Sequence, residues 1–207
     1  MTMAQSKEEV RPLVRSLVSV TIACSKPLRL AKLLGEGFGW ETVLEGLIET
    51  EAEQLWAIEQ HSTGKNFSIL RSPGMEHGMI RIVEGSDRVR TRERSARWAG
   101  FEIVVMSDID GLFNRLLGNS DFLAFGTPVD YDFTHAGSNI HRAFSGQLPG
   151  GTHTTLTMKI TDPVDGRNFP SAKAQVGQIF NVPLNTATYT VTKAFYESTL
   201  KMRQVLE

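Results

Sequence analysis

The chain of 207 residues is short of several things, and each shortage excludes a class of protein. Cys24 is its one cysteine, so no internal disulfide can form. With an N-terminus, MTMAQSKEEV, that lacks a signal-peptide pattern, this points to a reducing, cytoplasmic setting. No apolar run approaches the roughly 20 residues of a membrane-crossing helix, so no membrane partner is expected. Neither sign of charge is in excess, since 22 Lys and Arg stand against 23 Asp and Glu. Without a net field to draw a polyanion, nucleic acid is not an expected partner, and the run Arg88, Arg90, Arg92, Arg94 and Arg97 reads as a solvated linker. Missing too are a Walker loop, a GxGxxG between strand and helix, and a GxSxG elbow. The glycines of GEGFGWE (35–41) lack phosphate-loop spacing, and Cys24 lies in an apolar run where burial disfavours a nucleophilic thiolate.

What is there is an ordinary apolar fraction arranged in a recurring order. LVSVTIAC (17–24) is a β-branched run of strand length, followed by PLRLAKLLGEGFGWE (27–41) with proline suited to a helix start. TVLEGLIE (42–49) reads as strand, and TEAEQLWAIEQ (50–60) as a helix with a threonine cap and early carboxylates. NFSILRS (66–72) and HGMIRIVEG (77–85) flank Pro73-Gly74 and predict a hairpin. After the charged connector SDRVRTRERSAR (86–97) the pattern restarts with FEIVVM (101–106) as strand and DIDGLFNRLLG (108–118) as helix, Asp108 being placed to cap it. Three strands are predicted next: FLAFGTPVDY (122–131), NIHRAFSG (139–146) and GTHTTLTMKI (151–160). In the last of these Leu156, Met158 and Ile160 alternate with His153, Thr155, Thr157 and Lys159, as in a half-buried sheet.

A third restart is visible at QVGQIFNVP (175–183) and TVTKAFYESTLKM (190–202). The helix ends LLG (33–35), LLG (116–118) and TLK (199–201) recur at about 80 residues, which marks duplicated units. The expected organisation is a first module over 16–86, a second over 97–166, and a partial third over 175–207.

These residues resemble the vicinal oxygen chelate superfamily, which includes glyoxalases, bleomycin-resistance proteins and extradiol dioxygenases. The resemblance is carried by Asp108 after a first strand, Phe195-Tyr196 in a helix, Leu34-Gly35 and Leu117-Gly118 before second strands, and the turn TDPVDG (161–166). It covers roughly residues 16–163 as two modules and 175–202 as the start of a third, and no single copy carries the full set. It implies an α+β fold of two βαβββ modules forming a concave mixed sheet, plus a C-terminal strand and helix from a third. It also implies a cleft for a small molecule, aromatic or oxo-acid in character.

In the metalloenzymes of that superfamily, His or Gln from first strands and Glu from last strands hold a divalent ion. Such ligands suit Fe, Mn, Ni or Zn, with open positions for substrate. Here the corresponding positions hold Ser19 in the first copy and Phe101 or Glu102 in the second. RIVEG offers Glu84 near its end, THTTLT offers His153 among threonines, and VGQIFN offers Gln178. The ligand set is incomplete, which leaves His153 and Gln178 as candidate metal ligands. Candidate ligand-binding residues are Trp98, Arg81, His153 and Gln178, with Arg81 able to meet a carboxylate bidentately.

Each also has a structural reading: a hydrogen-bonded strand histidine, a solvated arginine, packing for Trp40, Trp56 and Trp98. His135 and His141 lie six apart and lack the i,i+4 spacing of a zinc-binding helix. The resemblance leaves three readings open. They are a glyoxalase- or extradiol-dioxygenase-like metalloenzyme, a metal-free binding protein of the resistance type, and a non-catalytic N-terminal half of a four-module protein. A homodimer is expected. The tail helix should bury Phe195, Tyr196 and Leu200 on this chain's sheet or on a neighbouring subunit.

Overall fold

The computed structural model describes residues 16–56, 58, 61–87, 97–134, 139–161 and 171–202. The arginine run at 88–96, His135 and most of TDPVDG lie outside the described residues.

The first module opens with β1 (Ser19–Cys24), in which Ile22 and Cys24 turn inward while Ser19, Thr21 and Ala23 are only half-buried. Proline at the first helical position starts α1 (Pro27–Lys32), which no side chain caps and which runs into a wide helical turn, Leu33–Gly37. Leu30, Leu33 and Leu34 are buried, whereas Leu28 is 83% exposed, the one-sided pattern of a helix laid on a sheet. There follow β2 (Glu41–Leu47), α2 (Thr50–Leu55), β3 (Asn66–Arg71) and β4 (Met79–Glu84). The sheet order is β1-β4-β3-β2, with β1 parallel to β4 across the α1 crossover and the other pairs antiparallel. β2 is exposed along its whole length.

The second module repeats this order. A two-residue β5 (Arg97–Trp98) leads to β6 (Gly100–Val105) and α3 (Ile109–Leu117). Asp108 caps α3 as expected, its side chain accepting the Gly111 amide at 3.0 Å from a left-handed backbone. Ile109, Leu112, Phe113 and Leu116 are buried, spaced to cover one helix face. FLAFGTPVDY forms two short strands, β7 (Leu123–Ala124) and β8 (Val129–Asp132), where one was expected. Gly126 and Pro128 interrupt it, and proline has no amide to give to a ladder. β9 (Ile140–Gln147) and β10 (His153–Lys159) complete the module, with β10 parallel to β6 and antiparallel to β9.

β11 (Val176–Asn181) then lies antiparallel on the free edge of β6, giving the order β11-β6-β10-β9-β7 with β8 also on β9. The two modules therefore carry separate mixed sheets, because β6 spends its second edge on β11. β11 is also bonded to the first module. Ile179 donates its amide to the Gly78 carbonyl at 3.1 Å, and the Val176 carbonyl accepts from Ser72 Oγ at 2.9 Å and Trp40 Nε1 at 3.3 Å. Gly78 has φ +68, and a Cβ there would stand 2.3 Å from the Ile179 carbonyl oxygen, so only glycine permits this approach.

One apolar cluster joins the modules, running from Leu30, Leu33 and Ile80 to Leu112, Phe144 and Leu156. The helices meet where Gly37 leaves only 3.1 Å between a would-be Cβ and Leu116. The remaining elements are β12 (Leu184–Asn185), paired with β5, and α4 (Tyr189–Ala194), which ends in a second wide turn, Phe195–Thr199. Of the three tail-helix residues expected to be buried, Tyr196 and Leu200 are half-buried, but Phe195 stays 50% exposed on this chain. α4 packs mainly on its own wide turn, having no module strands of its own among the described residues to lie on.

Candidate functional site

A cleft of about 840 Å³ runs along the open side of β1. Its walls include Ser19 and Thr21 from β1, Trp56 after α2, Asp87 after β4, and Trp98 and Phe101 from the start of the second module. Apolar walls with a few polar groups converging on them are the ordinary setting for a small-molecule site.

Trp56 is held over the helix-free face of the first sheet. Its amide closes α2 on the Ala52 carbonyl at 2.9 Å, and its ring meets Phe67 edge-on at 5.0 Å. The loop behind it is organised by Glu53, whose carboxylate accepts the Thr63 hydroxyl and amide, each at 2.8 Å, and the His61 amide at 3.1 Å. Those bonds, the Thr63 hydroxyl foremost, hold the Glu53 carboxyl below its usual range. Asp87 is kept ionised at the cleft's other end in the same way, by the Ser25 amide and hydroxyl at 2.8 Å each.

Arg81 stands behind Thr21 and Trp56. It is the register partner of Thr21, donates from Nη1 to Thr21 Oγ1 at 3.2 Å, and places its guanidinium carbon 4.0 Å from the Trp56 ring centroid. Its Nε is buried with no partner, and among the described residues no carboxylate pairs with it. Burial lowers its pKa, a sign that the charge is under-solvated where it sits.

The other expected residues fall as follows. Trp98, on β5 opposite Leu184, forms the far wall of the cleft and is 54% exposed. His153 begins β10 opposite Gly100, just beyond Thr152 of the cleft lining, and its ring meets Phe125 at 5.0 Å. Gln178 lies on β11 against Gly78, with Oε1 buried and unpartnered. The structure thus puts Trp98 in the cleft wall and Arg81 behind that wall, against Thr21 and Trp56, but does not bring His153 and Gln178 to one ion. His153 registers with Gly100, while Gln178 falls between residues opposite Ile103 and Val105. That is an offset of three to four residues, on the order of 10 Å along β6. Among the described residues no three of His, Cys, Asp or Glu gather as a metal site. The described residues do not fit the divalent ion that the resemblance implies.

Sequence reasoning missed Trp56, Thr21 and Asp87 as lining residues. Trp56 sat in an apolar helical stripe and read as packing. Its one available signal was the extra helix TEAEQL between second and third strands, which has no counterpart among the described residues of the second module.

No protein-family model and no curated protein matches the sequence. Solved structures do. A candidate dioxygenase from Bacillus subtilis is 10% identical, with 91% of this chain and 55% of that chain aligned at a TM-score of 0.61. A single-residue variant of glyoxalase I from Zea mays is 13% identical, with 91% of this chain and 56% of that chain aligned at 0.57. A glyoxalase family protein from Bacillus cereus is 16% identical over 76% of this chain and 100% of that chain, at 0.45. The chain spans little more than half the length of the first two. The fold is that of glyoxalase and dioxygenase structures, the vicinal oxygen chelate fold expected from the repeated pattern.

Proposed function

We propose that this chain binds a small aromatic carboxylate or oxo-acid in the cleft between Trp56 and Trp98. The observation that carries this reading is Arg81, an under-solvated guanidinium set behind two lining side chains, with no carboxylate paired to it among the described residues. A ligand carboxylate supplies the missing acceptor, and a charge-assisted bond of that kind contributes about 1.5–3 kcal/mol. The two indoles offer flat apolar area for an aromatic body, worth about 0.5–1.5 kcal/mol beyond burial for a well-placed ring pair. Asp87 at the cleft's end disfavours a second anionic group and so orients the carboxylate toward Arg81. The likeness to glyoxalase and dioxygenase structures supports a small molecule as the ligand class.

Quenching of tryptophan fluorescence by benzoate and by phenylpyruvate tests this. Saturable quenching is expected, with Arg81→Gln weakening the affinity about tenfold or more, the equivalent of losing one charged hydrogen bond. Trp98→Ala is expected to weaken it by a smaller factor. Equal affinity in wild type and Arg81→Gln would sink the reading, as would the lack of any quenching.

A further inference from the structure

α1 covers only part of the first sheet. It packs on β4 and β3, while β2 is exposed along its whole length. Between the flank of α1 and β2 this leaves a groove of about 740 Å³ on the helix side of the sheet, the face opposite the Trp56–Trp98 cleft. Strand alternation fixes the face. Ile80 and Ile82 are buried in the core with Leu30 and Leu33, so Glu84, two residues on, shares their side of β4. Leu70 likewise sets the side taken by Ser68 and Asn66, and register brings Glu45 beside Ser68 and Leu47 beside Asn66. Phe67, between them, turns its ring to Trp56 on the other face.

The groove has apolar walls and a polar floor. Pro27, Leu28 and Ala31 form the α1 wall and Leu47 the β2 wall, with Leu28 83% and Leu47 60% exposed. Asn66 and Ser68 line the floor between two carboxylates, Glu45 on β2 and Glu84 on β4. The glutamates stand two strands apart and two residues out of step, about 12 Å between Cα atoms at the usual strand spacing. Asn66 donates to Glu84 from Nδ2 at 3.2 Å, and no Lys or Arg pairs with either glutamate among the described residues.

Two cations line the α1 end of the groove, but each has an aspartate elsewhere. Arg29 is ion-paired with Asp121, and Lys26 adds to the lowering of the Asp87 carboxyl that the Ser25 bonds chiefly cause. Both aspartates lie outside the groove, in a neighbouring cavity of about 250 Å³ that Lys26 and Arg29 also line. The charge left facing the groove is therefore negative at two separated points, with apolar wall along the way. This disfavours an anion and offers a single ammonium only one carboxylate at a time. A flexible chain with an ammonium at each end meets both carboxylates through charge-assisted bonds and lays its methylenes on the leucines.

We propose that this groove binds an elongated aliphatic polyamine, its terminal ammonium groups at Glu45 and Glu84 and its carbon chain along Leu28 and Leu47. The site is on the opposite face from the cleft and takes a ligand of opposite charge. Equilibrium dialysis against radiolabelled spermidine tests it, with unlabelled putrescine and n-butylamine as competitors. Salt is held at about 0.15 M, where attraction between exposed charges is screened beyond about 8 Å. Saturable binding of spermidine is expected, with putrescine a weaker competitor and n-butylamine the weakest. Glu45→Gln and Glu84→Gln, which keep the side-chain shape and remove the charge, should each weaken spermidine binding about tenfold. Leu47→Ala should weaken it by a smaller factor. All three positions are exposed, so the variants should fold, and benzoate quenching should be the same in each as in wild type. The proposal fails if spermidine does not bind saturably, if n-butylamine competes as well as unlabelled spermidine does, or if both glutamine variants bind as wild type does. Displacement of benzoate by spermidine would place the amine in the cleft and overturn the groove assignment, while loss of benzoate binding with spermidine binding intact would sink the cleft reading alone.

Discussion

The two modules share a strand order and a crossover, yet they differ in how the helix covers the sheet and in what the other face offers. In the second, α3 is capped by Asp108 and presses Leu112, Phe113 and Leu116 onto a sheet whose inner strand β9 buries Phe144. In the first, α1 is uncapped, gives way to a wide turn, and leaves β2 exposed throughout, with Leu44 and Leu47 more than half exposed. The helix-free faces differ in sign. Arg81 under Trp56 marks the first and Glu102 among hydroxyls the second. One topology therefore carries two faces whose charged side chains differ in sign, because strand alternation lets facing residues change without disturbing the core.

The largest test of this contrast is a pair of truncations, one on inner strand β9 of the second sheet and one on outer strand β2 of the first. Phe144→Ala removes a buried ring packed edge-on to Phe113 at 5.1 Å and Phe122 at 6.1 Å, and should cost about 3–5 kcal/mol in urea unfolding. Leu44→Ala on β2, 53% exposed, should stay within about 0.5 kcal/mol. Similar costs at the two sites would erase the distinction between covered and uncovered strands.

A smaller effect is expected at the helix starts. Asp108→Ala loses the bond to the Gly111 amide and places alanine at φ +47, for about 1–2 kcal/mol in the same assay. Lys26→Ala, at the uncapped start of α1, should change stability by less than about 0.5 kcal/mol. If both substitutions cost the same, the capping difference is irrelevant to stability.

The smallest effect is one of pH. Burial raises the Glu102 carboxyl above its ordinary value of 4.5, so its stabilising share is complete below that value and is lost as pH rises through the folded-state value. Relative to Glu102→Gln, the wild type should lose stability as pH rises above 4.5, read from urea midpoints. His141, whose burial lowers its pKa, is common to both proteins and cancels from the difference. A difference that is flat with pH, or rises, would contradict the buried setting of Glu102, which has no cation against it among the described residues.

Much of this architecture could be read from local pattern. The strand at 17–24, the hairpin around Pro73-Gly74, the Asp108 cap and the alternation from His153 to Lys159 all rest on interactions within a few residues or on one period, and all are present. The break at Gly126–Pro128 was also readable in principle, since proline cannot donate to a ladder. What pattern did not disclose was long-range: β11 taking the β6 edge, the sheets remaining separate, Phe195 left half exposed. For the site, Trp98 and Arg81 were marked from residue type, but Arg81 reaches the cleft wall only through Trp56, brought over the sheet by α2 and by a loop held on Glu53. His153 and Gln178 looked alike as ligand candidates; strand register, which their local sequences do not carry, sets them apart along β6.

The bonds from β11 back to Ser72, Gly78 and Trp40 also govern the order in which the chain can finish folding. Ser72 and Trp40 lie 104 and 136 residues from Val176, so these closures have a high contact order and come late. During synthesis both modules emerge before β11 does, and until then β6 has an unpaired edge and the first module an open flank. The unfinished protein is thus most exposed to strand-edge association between the release of Lys159 and that of Asn181, and the closing of that interval turns two modules into one cooperative unit.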